Sequence, residues 1–120
     1  MELNEYQKKA MTTCLNESRN FSYMFLNLVG EVGEFASKVA KAIRKEKAVI
    51  DLNKLITERV DVMSDEEIAD LRKEAGDCLW QLSGLCTIMG WSLESVAQEN
   101  LDKLASRKER GVVDGNGDNR

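Results

Sequence analysis

Two pairs of carboxylates stand where the chain otherwise avoids charge. From Asn20 through Ser37 the only charged residues are Glu31 and Glu34; from Ala75 through Trp91 the only one is Asp77, with Glu74 just before it. Each pair has i, i+3 spacing, which on a helix puts both groups on one face with Cβ atoms about 5–6 Å apart. At an effective dielectric of 20, two like charges about 6 Å apart repel by about 3 kcal/mol. Four carboxylates converging between packed helices would therefore rival the stability of a whole domain, about 5–15 kcal/mol. Such a cluster needs neutralising. Protonation or neighbouring lysines could do it, but hard divalent cations such as Mg²⁺ or Mn²⁺ suit an all-oxygen site, and two of them would balance four carboxylates. The bland alternative is four surface carboxylates paired with Lys38, Lys41 or Arg72 along solvated helix faces.

Other chemistries fall away on composition. The chain has 120 residues, no His and no Pro. Ser-His-Asp and Cys-His triads, HExxH zinc sites and the Glu-x-x-His ligands of di-iron bundles all need imidazole. Cys14, Cys78 and Cys86 form no CxxC pair, and an odd number cannot all pair within the chain, which fits a reduced, cytoplasmic setting. The N-terminus lacks a basic stretch followed by an apolar one, and no run of 18 apolar residues occurs, so neither export nor membrane insertion is expected. A net charge of −4 and a pI near 5.0 argue against general attraction to nucleic acid or an anionic membrane.

The carboxylates must be positioned by helices. The spacing predicts a helix over 3–17 and a second over 21–45, the latter from Phe21, Phe25, Leu28, Val32, Phe35, Val39 and Ile43. Gly30 and Gly33 each cost about 1 kcal/mol relative to Ala there, which implies a close approach to the backbone around Glu31. Residues 48–63 read as a short helix or an ordered loop. Ser64 with Glu67 three residues on forms a capping box that starts a helix running to Met89 and Gly90, and Ser92 caps a fourth over 93–109, closed by Gly111. The result is an all-α, four- to five-helix bundle over residues 1–110 with a flexible Gly-rich tail, 111–120. Trp80 and Ile88 lie outside the main apolar stripe of the third helix, so a homodimer or homotetramer is expected. Trp80, Trp91, Tyr6 and Tyr23 could stack on a base, although aromatic residues at such spacings are more often core.

GEVGEFASKVAKAIRK, followed by EAGDCLWQLSGLCTIMGWSLESVAQENLDKLASRKERG, resembles the MazG-like branch of the all-α nucleoside triphosphate pyrophosphohydrolases over most of the chain. The resemblance implies that Glu31, Glu34, Glu74 and Asp77 are catalytic ligands of Mg²⁺, with Mn²⁺ as a substitute. It also implies that metal-activated water attacks the α-phosphorus of a (d)NTP, releasing (d)NMP and pyrophosphate. Asn100 and Lys103, with Arg107 and Arg110 in the basic continuation, are implied to bind the substrate's phosphates. Gly30 departs from the family pattern, in which many relatives carry a further Glu at that place, and the spacer between the acidic pairs is long. The rival expectation is a non-catalytic helical oligomer that binds nucleotide or a protein partner and uses the same acids structurally.

Overall fold

In the computed structural model, which describes residues 1–120, four α-helices carry the architecture: α1 (Leu3–Met11), α2 (Phe21–Arg44), α3 (Asp65–Ile88) and α4 (Leu93–Arg110). A small antiparallel hairpin, β1 (Val49–Asp51) and β2 (Lys54–Ile56), joins α2 to α3. Three of the four helices, α2, α3 and α4, start where a side chain satisfies a free N–H group. The Asn20 side-chain oxygen accepts from Tyr23 N–H at 2.8 Å, and Ser92 Oγ accepts from Ser95 N–H at 3.2 Å. Ser64 and Glu67 form the expected reciprocal capping box. Gly111, at φ 71°, closes α4 in the left-handed conformation that a residue with a Cβ adopts at a cost.

Two expectations need correction. The first helix ends at Met11 rather than running to Glu17, and only a single 3-10 turn, Asn16–Ser18, follows. Its end is fixed from outside: Trp80 Nε1 donates to Ala10 O and to Thr13 Oγ1, both at 3.1 Å, while the Thr12 and Thr13 hydroxyls donate back to Lys9 O and Ala10 O. Thr side chains that bond the backbone locally compete with helix continuation. Residues 48–63 form the hairpin and its return loop, not a helix. Val49 pairs with Ile56, Ile50 with Leu55 and Asp51 with Lys54. The two-residue turn places Leu52 and Asn53 at φ 49° and 62°, the positive values a primed hairpin turn demands.

The hairpin end of the molecule holds the main core cluster, Ala42, Ala48, Met63 and Leu71, with Phe35, Val39, Ile43 and Ile68 packed around it. At the other end Met24 is fully buried against Gly84. Met24 meets Gly84, Lys38 meets Glu74 and Lys47 meets Glu67, so α2 and α3 run antiparallel as the long pair of the fold. Helix α1 lies along the C-terminal half of α3, with Gln7 Nε2 donating to Thr87 Oγ1, and meets the start of α4, where Asn4 Nδ2 donates to Glu94.

A single chain leaves much apolar surface uncovered. Phe21, Phe25, Leu26, Val29 and Val32 on α2 are all exposed, and the rings of Phe21 and Phe25 stack on one another at 5.6 Å. The radius of gyration is 17.8 Å, against about 14 Å for a compact 120-residue domain. No helix is long and apolar enough to cross a membrane.

Candidate functional site

The register of α2 on α3 decides which acids meet. Glu31 lies midway between Met24 and Lys38, which face Gly84 and Glu74, so it comes opposite the turn of α3 that carries Asp77 and Cys78. One carboxylate oxygen each from Glu31, Glu74 and Asp77 lies within 4.8 Å of the other two. Glu74 is only 6% exposed, Glu31 is half-buried and Asp77 is open to solvent. Glu34 sits beside this trio on the exposed side of α2, close enough for its charge to act on Glu31. The structure thus brings three of the four sequence-expected acids into one cluster and leaves the fourth at its rim.

The electrostatics of the trio are unequal. Burial pushes the Glu31 carboxyl above its ordinary range, and the charges of Glu34, Asp77 and Glu74 add to the effect. Glu74 is held below its ordinary range, chiefly by the hydrogen bond from Lys38 Nζ at 2.8 Å, against the opposing effect of burial. Two oxygens in this spot are buried with no hydrogen-bond partner at all, Glu31 Oε2 and Glu74 Oε2. Buried carboxylate oxygens are normally paired, and leaving them bare costs free energy unless a ligand completes them. An all-oxygen donor set with two bare, inward oxygens fits a hard divalent cation.

Cys78 lies beside the acids, and burial together with the charges of Glu31, Glu74 and Asp77 raises its thiol, which disfavours the thiolate a nucleophile needs. Gly33 faces open space, and a Cβ on Gly30 would meet only Asn27 of its own helix, so no segment of the same chain makes the close approach expected there.

The basic residues Lys103, Arg107 and Arg110 of α4 are engaged within the chain. Arg107 is 5% exposed, and its Nη2 donates to Gly117 O, Asp118 O and Asp118 Oδ1 at 3.0–3.3 Å. Lys103 Nζ bonds the same Asp118 carboxylate at 3.1 Å, and Arg110 Nη2 donates to Arg120 O at 2.7 Å. Asn100 is exposed, and its side chain makes no hydrogen bond within the chain. Residues 111–120, expected as a tail, fold back along α4, and Arg120 ties them with bonds to Val112 O and Val113 O. Sequence reasoning missed the Asp118 contact; an acidic residue following a basic helix end was its only signal.

A family model of the MazG nucleotide pyrophosphohydrolase domain matches residues 19–112. The chain is also 36% identical, over 127 aligned residues and the full length of both proteins, to the Gene 37 protein of Mycobacterium phage L5. No solved structure matches it. An all-α fold whose central helix pair brings acids of an ExxE and an ExxD together, matched by the family over three of its four helices, defines the class: the chain belongs to the MazG nucleotide pyrophosphohydrolase family.

Proposed function

We propose that the protein is a Mg²⁺-dependent nucleoside triphosphate pyrophosphohydrolase, converting a (d)NTP to (d)NMP and pyrophosphate in the cytoplasm, with Mn²⁺ able to substitute. One observation carries the reading: Glu31 and Glu74 each keep a buried carboxylate oxygen without a partner, and one oxygen each of Glu31, Glu74 and Asp77 lies within 4.8 Å of the other two. These three, with Glu34 alongside, are the residues that would hold the ion. A divalent cation there supplies Lewis acidity and offsets triphosphate charge.

The reaction class comes from the family. The oxygen of water bonds to the α-phosphorus, the bond from that phosphorus to the α,β-bridging oxygen breaks, the electron pair leaves on pyrophosphate, and the water's proton passes to solvent. Asn100, Lys103, Arg107 and Arg110 are the proposed phosphate-binding groups of α4. For Lys103 and Arg107 this requires the nucleotide to replace the Asp118 carboxylate. The exposed apolar row on α2 supports a homodimer or homotetramer, in which a second copy covers it.

The test is a screen of ordinary and chemically modified (d)NTPs with Mg²⁺, with products separated by chromatography. Monophosphate plus pyrophosphate is expected. Diphosphate plus orthophosphate, or no turnover of any nucleotide, overturns the proposal, and the second outcome favours a binding-only role for the same fold.

A further inference from the structure

Between α2 and α3, on the hairpin side of the acidic cluster, lies a cavity of about 170 Å³ bordered by Lys38, Lys41, Lys45, Met63, Glu67 and Asp70. The three lysines stand at i, i+3 and i+7, so they share the face of α2 that Glu31 and Glu34 begin. The charges around the cavity do not cancel locally. Glu67 is engaged by Lys47 at 3.0 Å and by the Ser64 N–H at 3.1 Å, and Asp70 has Lys73 at 3.6 Å. Lys38 is engaged by Glu74 at 2.8 Å. Lys41 and Lys45 alone among the bordering charges form no ion pair. The basic residues of α4, by contrast, are already bonded to Asp118 and to the chain end.

We infer that this cavity is the seat of the distal phosphates: Lys41 and Lys45 receive the β- and γ-phosphates of the nucleoside triphosphate, which depart together as pyrophosphate. The inference rests on the pyrophosphohydrolase reading for the identity of the ligand, and on the cavity and its unpaired lysines for its place. Helix rise puts Lys41 about 10 Å along α2 from Glu34, a gap that an extended lysine side chain and a triphosphate span together. With the α-phosphorus at the carboxylates, the distal end then points toward the hairpin, and the cationic groups stand where negative charge accumulates as the bridging bond breaks.

Calorimetric titration with pyrophosphate in saturating Mg²⁺ tests the site without catalysis. The wild-type protein, the double variant Lys41→Gln/Lys45→Gln and its counterpart Lys41→Arg/Lys45→Arg are compared, with a nucleoside monophosphate as second titrant. Removing one charge-assisted hydrogen bond weakens binding by about tenfold, so pyrophosphate affinity falls about a hundredfold in the Gln pair and is largely kept in the Arg pair. Monophosphate and Mg²⁺ affinities stay unchanged in both. Pyrophosphate affinity that is undiminished in the Gln pair, or diminished equally with that of monophosphate, overturns the inference while leaving the reaction class intact. Lysine-dependent pyrophosphate binding by a protein that cleaves no triphosphate would instead sink the pyrophosphohydrolase reading and keep the anion site.

Discussion

Lys38 Nζ lies 2.8 Å from Oε1 of Glu74, while Oε2 of the same carboxylate is buried with no partner. The two oxygens of one side chain therefore have opposite situations. Lys38 keeps Glu74 ionised inside the helix interface and fixes its orientation, and the second oxygen stays available to a ligand shared with Glu31 and Asp77. An isolated buried carboxylate would take up a proton instead. The ordinary ion pair and the metal-ligand reading thus describe the same residue, one oxygen each.

Cation binding should stabilise the fold. Glu31, Glu34, Glu74 and Asp77 are close only in the folded chain, so Mg²⁺ binds the native state preferentially and raises the melting temperature; at 100 times Kd the gain is about 2.7 kcal/mol. Thermal scans with and without millimolar Mg²⁺ read this directly. Glu74→Gln should lose most of the shift, and a wild-type curve indifferent to Mg²⁺ and Mn²⁺ would count decisively against a metal centre.

Acid should act through Glu67. The Ser64 N–H and Lys47 hold its carboxyl down from 4.5 to about 2 in the folded state. A depressed folded value means the contribution to stability is fully present above pH 4.5 and is lost as pH falls from 4.5 toward 2. Denaturant titrations of wild type and Glu67→Gln should show the variant less stable at pH 7 and the gap closing by pH 2. A gap that stays constant with pH would show that the charge of Glu67 contributes nothing.

The close approach of Gly84 to Met24 should tolerate no added carbon. A Cβ at Gly84 would overlap the Met24 sulfur and methyl, so the fully buried Met24 side chain would have to shift within the core. Overpacking of this kind costs about 1–3 kcal/mol, which outweighs the gain of about 1 kcal/mol in helix propensity from Gly to Ala. Gly84→Ala is expected to destabilise the protein, with Met24→Ala in the same chain recovering part of the loss. Strict additivity of the two in a double-mutant cycle would deny the contact.

Self-association follows from the uncovered row Phe21, Phe25, Leu26, Val29 and Val32. Light scattering at micromolar concentration should return a multiple of 13.5 kDa, and Phe25→Asp should shift the distribution toward the single chain. A wild-type mass of one chain refutes this prediction alone.

The helices, apart from the end of α1, were legible because their signals are local. The Ser64 and Ser92 caps, the left-handed Gly111 and the three-and-four spacing of α2 act within a turn or two of chain. The acidic cluster was legible for a related reason: charge is absent from the surrounding stretches, so the i, i+3 pairs stand out against an apolar background. The hairpin was not. Its strands are three residues each, too short for alternation to outweigh the accidental helical spacing of Leu52, Leu55, Ile56 and Arg59, and its turn lacks the Asn-Gly or Asp-Gly signature. The early end of α1 was equally hidden, because Trp80, seventy residues away, takes the Ala10 carbonyl. Lys38 was among the lysines that spacing offers to the acids, but only the register of α2 on α3 singles it out for Glu74.

Removing charge from Asp77 separates a ligand from a bystander. It is exposed, so Asp77→Asn keeps side-chain shape and leaves the helix interface intact, yet its oxygen belongs to the trio that converges within 4.8 Å. An amide offers a cation a neutral oxygen in place of an anionic one, which weakens the hold on a hard divalent ion. Deleting a single transition-state hydrogen bond already costs about 10²–10³ in turnover, and removing a metal ligand from the cluster should cost at least that. The expected outcome is a melting temperature close to wild type without metal, a weakened Mg²⁺ titration, and kcat lower by about two to three orders of magnitude or more. Lys103→Ala should contrast with it, weakening nucleotide binding while leaving the Mg²⁺ titration unchanged. Calorimetry beside steady-state kinetics on the best nucleotide makes the comparison, and an Asp77→Asn protein with normal kcat and normal metal affinity would remove α3 from the catalytic centre.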